Sequence, residues 1–121
     1  VWTVNGSHPI ARGVPHPIIV PEQEMYGEMF DIPAPDELVF VSSFAGGEVF
    51  RSGAAFRRGK GKVFYFSPGD QEYPVYHQPE IQRVLANAVV WARPEGREAA
   101  PVKISNAQRD WFRDAEVSRV I

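Results

Sequence analysis

The sequence contains no cysteine. That absence excludes a thiol nucleophile, a disulfide framework and a thiolate zinc site within this chain. Long apolar runs are missing as well: none approaches the roughly 20 residues that span a bilayer, so we expect a soluble protein located in the cytoplasm. A strong charge of one sign is also absent, with 13 Lys and Arg against 15 Asp and Glu and a net charge of -2. Nucleic acid and anionic membranes, which need a basic stripe, are therefore not expected partners.

The length of 121 residues fits one small domain. The sequence opens at Val1 to Val4, inside a strand-like segment and without an initiator methionine. We therefore expect residues 1–121 to form a single unit that is the C-terminal part of a larger domain. Ser105 and Gln108 form a capping-box pattern, which predicts an amphipathic tail helix within residues 101–121.

The stretch KVFYFSPGDQEYP, residues 62–74, is the centre of the functional prediction. Val63 to Phe66 is apolar on both faces, which predicts a strand buried on both sides in a sheet covered by helices. In open α/β sheets, ligands bind beyond the carboxyl ends of the strands. The residues that follow this strand are therefore expected at a site: Ser67, Gly69, Asp70, Gln71, Glu72 and Tyr73.

Further elements follow from local patterns. Residues 18–20 and 38–44 read as strands, and residues 49–56 pair with 62–66 through a five-residue connection, 57–61. The cluster Arg57, Arg58, Lys60 and Lys62 is expected to be solvated at that hairpin tip. Gln78 is predicted to cap a helix that has Pro79 in its first turn and ends after Trp91. For residues 22–33 the period is ambiguous: an extended chain puts Glu22 and Glu24 on one face, and a helical turn puts Glu24 and Glu28 there.

His8, His16 and His77 are the side chains that titrate near neutrality, so a proton shuttle is first sought among them. His8 with Glu22 or Glu24, and His77 with Asp70 or Glu72, are candidate pairs of a base and its carboxylate. The same side chains suit zinc, manganese or iron, although no HExxH spacing is present. Structural readings compete with these. His8 can hold a turn, His16 is expected to be structural, Glu22 and Glu28 can be solvated, and Tyr73 and Tyr76 can close the core.

Other chemistry is not supported by the motifs. Ser42 and Ser67 lack the Gly-x-Ser-x-Gly setting of a hydrolase nucleophile. The pairs Gly46-Gly47 and Gly59-x-Gly61 are too short for phosphate cradles and read as turns. The three Trp and four Tyr include several next to polar loops, where an aromatic face can stack on the apolar face of a sugar ring.

Five segments in order resemble the ThuA-like, or trehalose-utilisation, family: SHPIARGV, EQEMYGEMFDIPAPDELVF, GGEVFRSG, GKGKVFYFSPG and EYPVYHQPEIQRVLANAVVWA. The resemblance covers residues 1 to about 92. It implies an α/β fold of the flavodoxin-like, class I glutamine amidotransferase-like type, a three-layer sandwich of which this chain is the second half, with an antiparallel hairpin. It also implies a homo-oligomer with a bacterial role in using trehalose and related disaccharides. The 3-keto sugars made by a partner dehydrogenase are implied substrates.

The resemblance also points to site residues, since the matching positions are His8, Glu22, Glu24, Tyr26 and the Gly69-Asp70 pair. With the residues expected after the strand, the expected catalytic residues are His8, Glu24 and Asp70. The expected substrate-binding residues are Glu22, Tyr26, Glu72, Tyr73 and His77. The family commonly has Gly-His where this chain has Gly69-Asp70, which together with the lack of cysteine argues against glutaminase activity; His77 is a candidate replacement for the imidazole. The sequence thus predicts a sugar-modifying enzyme that uses acid/base or metal-assisted chemistry, with zinc or manganese as candidate metals. The alternative is a non-catalytic carbohydrate-binding or assembly subunit.

Overall fold

The computed structural model describes residues 1–96, which form one antiparallel sheet and one α-helix. The strands are β1 (Trp2–Thr3), β2 (Glu37–Ser43), β3 (Val49–Arg58) and β4 (Gly61–Phe66), and the helix is α1 (Pro79–Ala92). Two short 3-10 helices lie at Pro9–Ala11 and Val75–His77. The tail helix predicted within residues 101–121 lies outside the described residues. No helix in the described part is long and apolar enough to cross a membrane.

The sheet has the strand order β1-β2-β3-β4, and each neighbouring pair is antiparallel. Phe40 on β2 pairs with Gly53 on β3, where a Cβ atom would lie only 2.5 Å from a carbon of the Phe40 ring. Glycine is therefore required opposite this buried phenylalanine. The predicted mixed α/β class is confirmed at this level, and the finer flavodoxin-like, three-layer arrangement stays a prediction.

The two faces of the sheet are covered differently. One face packs against α1 and the first 3-10 helix, in a core that contains Ile10, Val39, Phe40, Ile81 and Val84. This burial is the main source of stability, since apolar area removed from water contributes about 25 cal/mol per Å². The other face carries a cluster of aromatic rings in contact with one another: Tyr26, Phe30, Phe50 and Tyr65.

The prediction that residues 63–66 form a strand buried on both sides is wrong. Within residues 1–96, β4 pairs with β3 alone and lies at an edge of the sheet, and the Val63 side chain is 47% exposed. Residues 63–66 are apolar on both faces because each face of β4 contacts a different group of aromatic rings. Phe64 and Phe66 contact Phe40 on the helix side, whereas Tyr65 contacts the aromatic cluster on the opposite side. Because the sheet described is antiparallel, the argument from parallel strands does not locate the site.

Three local predictions need correction. Residues 18–20 form no strand, although the Val1 ammonium donates to the Ile18 carbonyl at 2.7 Å and the Ile18 N–H donates to the Val1 carbonyl at 2.9 Å. The hairpin connection is shorter than predicted, because Arg58 pairs directly with Gly61. Lys62 is not solvated: its side chain is nearly buried and its Nζ donates to the Trp91 carbonyl at 2.9 Å.

The best-predicted elements are confirmed. The strand expected at residues 38–44 is β2, and the helix begins at Pro79 as predicted. Gln78 occupies the position before the first turn, but its side chain makes no capping bond and donates instead to the Ile19 carbonyl at 2.6 Å. That bond ties the start of α1 to the segment that leads into residues 22–26.

Candidate functional site

Two segments distant in sequence meet at the end of β4. The backbone N–H of Glu24 donates to the carbonyl of Gly69 at 3.3 Å, so residues 22–26 lie against the loop that follows β4. The sequence predicts site residues in both segments, and the structure brings them together. Residues 22–26 form neither a helix nor a strand, so side chains that are neighbours in sequence can point toward different parts of the surface.

A cavity of about 350 Å³ opens at this junction. We call it the Asp70 cavity. Inside it, the Tyr26 hydroxyl donates a hydrogen bond to the Glu24 carboxylate. This bond, together with the negative charge of Glu24 and a smaller contribution from Asp70, raises the pKa of Tyr26. The phenol therefore stays protonated, with its one proton donated to Glu24 and its oxygen left as an acceptor. The cavity is lined by Glu24, Tyr26, Ser67, Gly69, Asp70, Gln71 and Tyr76.

The Asp70 carboxylate is held in place by its own loop. Its Oδ1 accepts hydrogen bonds from the backbone N–H groups of Glu72 and Tyr73, at 2.6 and 3.2 Å. Such a side-chain to backbone turn fixes the carboxylate and leaves the second oxygen, Oδ2, available to a ligand. Glu72, predicted to bind substrate, is exposed and lines neither this cavity nor the neighbouring one.

Three other predicted residues line a second cavity of about 520 Å³, which we call the Tyr73 cavity. Glu22 and Tyr73 lie in the same wall, and the interaction of Tyr73 with the Glu22 carboxylate is the main reason that the pKa of Tyr73 is raised. His77 lies in the same wall, so it faces Glu22 and Tyr73 rather than the position of Asp70 that it was predicted to serve. The lining residues are Ile19, Val20, Pro21, Glu22, Tyr73, Pro74, Val75, His77, Gln78 and Glu80.

His8 is not brought to either cavity. It is 3% exposed, and its Nδ1 accepts a hydrogen bond from the Ile10 backbone at 3.2 Å. Its Nε2 lies 3.5 Å from a Glu37 oxygen and its ring is 5.4 Å from that of Trp91. Burial lowers the pKa of His8, opposed by the charge of Glu37 and reinforced by that of Lys62. The geometry matches the structural reading, in which His8 holds a turn.

The remaining candidates also have structural partners. His16 Nδ1 accepts a hydrogen bond from the Thr3 backbone at 3.0 Å, as expected of a structural histidine. Glu28 forms a two-point ion pair with Arg51, at 2.8 and 3.2 Å, and its hydrogen bond with this side chain is the main cause of its lowered pKa. Glu28 therefore supports the fold, whereas Glu24 faces the Asp70 cavity.

One lining residue was not predicted as part of the site. Closing the core was one interpretation of Tyr76, yet it is 52% exposed and its hydroxyl lies where a side chain on residue 69 would have to go. Gly69 thus makes room for Tyr76 at the cavity. No local pattern predicts this contact, because it depends on the path of the chain between residues 69 and 76.

A metal site needs several ligands that converge on one point. Among residues 1–96, no group of three or more His, Asp or Glu side chains is placed so that it could hold a metal ion. Glu24 and Asp70 alone do not make such a set, so a metal ion at the Asp70 cavity would need further ligands from outside these residues.

A known protein family matches most of the chain. The sequence model of a family described as ThuA, trehalose utilisation, matches residues 1–92 of the 121. The matched range includes both cavities and every residue of the predicted site. No curated protein matches the chain.

Proposed function

This chain belongs to the ThuA, or trehalose utilisation, family, and on that premise we propose that it is a sugar-utilisation enzyme with its site at the Asp70 cavity. The substrates proposed are trehalose-related disaccharides or their 3-keto derivatives. The observation that carries the proposal is the meeting of Glu24, Tyr26 and Asp70, from two segments distant in sequence, around one cavity. The proposal includes a cytoplasmic location, a homo-oligomer, a dehydrogenase that supplies keto sugars, and a flavodoxin-like larger domain.

The side chains support acid/base chemistry on a sugar hydroxyl or keto group. The Tyr26 phenol donates its one proton to Glu24, so its oxygen is left to accept a hydrogen bond from a hydroxyl of the sugar. Asp70, whose Oδ1 is fixed by the loop, uses Oδ2 to accept a proton from a sugar hydroxyl or from the carbon next to the keto group. Glu24, whose carboxylate lines the same cavity, can take or return a proton of the sugar.

Histidine has a different part in this proposal than the resemblance implies. His8 stabilises the fold from the core and does not touch the sugar. His77 is the one imidazole among residues 1–96 that lines either cavity. It shares its cavity with Glu22, so the imidazole and carboxylate proposed here differ from the predicted pairs of His77 with Asp70 or Glu72, and they lie at the edge of the site.

The test is conversion and binding by the full 121-residue chain. Trehalose and 3-keto-trehalose are incubated with the protein and followed by proton NMR, and binding is measured by calorimetry. We expect Asp70→Asn and Glu24→Gln to lower turnover by about 10² or more and Tyr26→Phe by about tenfold. Glu72→Gln is the matched control, because it removes a neighbouring exposed carboxylate that lines neither cavity, and it should leave turnover unchanged.

The outcomes separate the two functional hypotheses. Binding of sugar without conversion, weakened by Asp70→Asn, would favour the non-catalytic carbohydrate-binding subunit. If the protein neither binds nor converts these sugars, both hypotheses are overturned. Elemental analysis of the dialysed protein and of Glu24→Gln, run alongside, tests for a metal ion held with the help of this carboxylate.

A further inference from the structure

The Tyr73 cavity is joined to the Asp70 cavity by residues that belong to the same two segments. Glu22 and Glu24 lie two positions apart in an irregular stretch, and each lines a different cavity. The Cα atoms of residues two apart are separated by at most about 7 Å. Asp70 links the two cavities as well, since it lines the Asp70 cavity and its Oδ1 accepts a hydrogen bond from the backbone N–H of Tyr73 at 3.2 Å. The two cavities are therefore neighbouring parts of one surface.

The Tyr73 cavity offers an apolar wall with a polar rim. Tyr73 and Ile19 are 41% and 71% exposed, so each presents apolar surface to a ligand. His77 and Glu80 line the same cavity, and their side chains make no hydrogen bond or ion pair within residues 1–96 that would occupy them. An aromatic face with hydrogen-bonding groups around it suits a pyranose ring, whose apolar face stacks and whose hydroxyls point outward.

Charge restricts the class of ligand. Neither set of lining residues contains Lys or Arg, whereas Glu22, Glu24, Asp70 and Glu80 are all carboxylates. A phosphorylated sugar would meet negative charge without a cation to pair with it, which is unfavourable. A neutral sugar rich in hydroxyl donors fits this lining, because carboxylates accept hydrogen bonds from hydroxyl groups.

We propose that the Tyr73 cavity is a second sugar subsite, so that the site binds a neutral disaccharide with one ring in each cavity and its glycosidic linkage beside Glu22 and Asp70. This inference rests on the proposed function, because it takes the Asp70 cavity as the place of the reacting ring. Tyr73 stacks on the second ring beside Glu22, and its backbone is held by the hydrogen bond from its N–H to Asp70. The second ring supplies binding energy and selects disaccharides over single sugars.

The experiment measures the affinities of the full chain for trehalose, glucose and a glucose phosphate by titration calorimetry. We expect trehalose to bind about tenfold more tightly than glucose, with the glucose phosphate weakest. Tyr73→Ala removes the stacking face and should bring the affinity for trehalose down to that for glucose, which itself stays unchanged. Tyr73→Phe, the matched control, keeps the ring and should retain most of the preference. Because Tyr73 is exposed, neither variant is expected to unfold the protein.

Each result bears on one of the two proposals. If trehalose binds no more tightly than glucose, or if Tyr73→Ala weakens both sugars equally, the second subsite is overturned while the proposed function stands. If no sugar binds the unmodified chain, the proposed function fails and the subsite fails with it. Tighter binding of the glucose phosphate than of glucose would overturn the assignment to neutral ligands.

Discussion

The regions around His8 and around Asp70 both contain titratable side chains, but the first region is buried and the second is open to solvent. His8 is buried, and its ring nitrogens face the Ile10 backbone and Glu37. Asp70 is partly exposed, and it shares a cavity with Glu24 and Tyr26. His8, with Glu37 and Lys62 nearby, is therefore part of the core. Glu24 and Asp70, with Tyr26 nearby, line a cavity that is open to solvent.

The difference shows that burial and prior engagement decide what a titratable group can do. A side chain whose hydrogen-bonding atoms already hold the backbone is not available to a ligand, and in the core it is kept in its neutral form. A carboxylate fixed through one oxygen retains the other for chemistry, as Asp70 does. The two regions should therefore respond differently to substitution, to pH and to the loss of a neighbouring charge.

The largest effect is expected from His8→Ala. The change leaves a cavity beside Trp91 and removes the acceptor of the Ile10 N–H, so the free energy of unfolding should fall by about 2 to 4 kcal/mol. Glu24→Gln, on the exposed side of the comparison, should change it by less than about 0.5 kcal/mol. Urea denaturation followed by circular dichroism measures both. A His8→Ala protein as stable as the unmodified chain would show that the two regions do not differ in this way.

A smaller effect is expected from pH. Because burial lowers the pKa of His8 below its ordinary value of 6.5, the unfolded chain takes up this proton first as the pH falls. Stability linked to His8 is complete above pH 6.5, declines below it, and levels off once the pH passes the pKa of the folded state. The slope of unfolding free energy against pH should thus be shallower in His8→Asn than in the unmodified chain.

The control for that prediction uses the two charges beside His8. Glu37 raises the pKa of His8 and Lys62 lowers it, so removing the charge of Glu37 should extend the decline in stability to lower pH. If His8→Asn has the same slope as the unmodified chain, then burial of His8 does not make stability depend on pH.

The smallest effect is expected in the titration of the tyrosines. Glu24→Gln should lower the pKa of Tyr26 toward its ordinary value of 10.0, because the charged acceptor of its hydrogen bond is lost. Asp70→Asn should lower the pKa values of both Tyr26 and Tyr73 by a smaller amount. Carbon NMR of labelled tyrosine follows each ring. Tyr65, whose raised pKa comes from burial, is the internal reference and should not move in Asp70→Asn.

Much of the local fold follows from the sequence. The alternation in β2, the hairpin glycines and the Pro79 start of α1 are signals carried by neighbouring residues, and each predicts its element. The surroundings of β4, in contrast, do not follow from its own residues. A run that is apolar on both faces predicts two covered faces, but it does not say whether another strand lies alongside, and within the described residues β4 is an edge.

The residues of the candidate site could be predicted from local patterns, but their arrangement could not. Glu24, Tyr26 and Asp70 are predicted from their two segments, but their meeting depends on a backbone hydrogen bond between residues 24 and 69, which no side-chain pattern encodes. His8 packs against Trp91, from the far end of the described chain, and the Trp91 carbonyl in turn accepts a hydrogen bond from Lys62. Such contacts between distant residues are what a local pattern leaves undetermined.

The hydrogen bond from Glu24 N to Gly69 O has a consequence for how this site can change in evolution. Both atoms belong to the main chain, so the link between the two segments survives any exchange of side chains at residues 24 and 70. New substrate preferences can then arise by substitution at the cavity wall while the frame that holds the wall is inherited unchanged. Relatives with the same frame and different residues at positions 24, 26 and 70 are expected to act on different sugars.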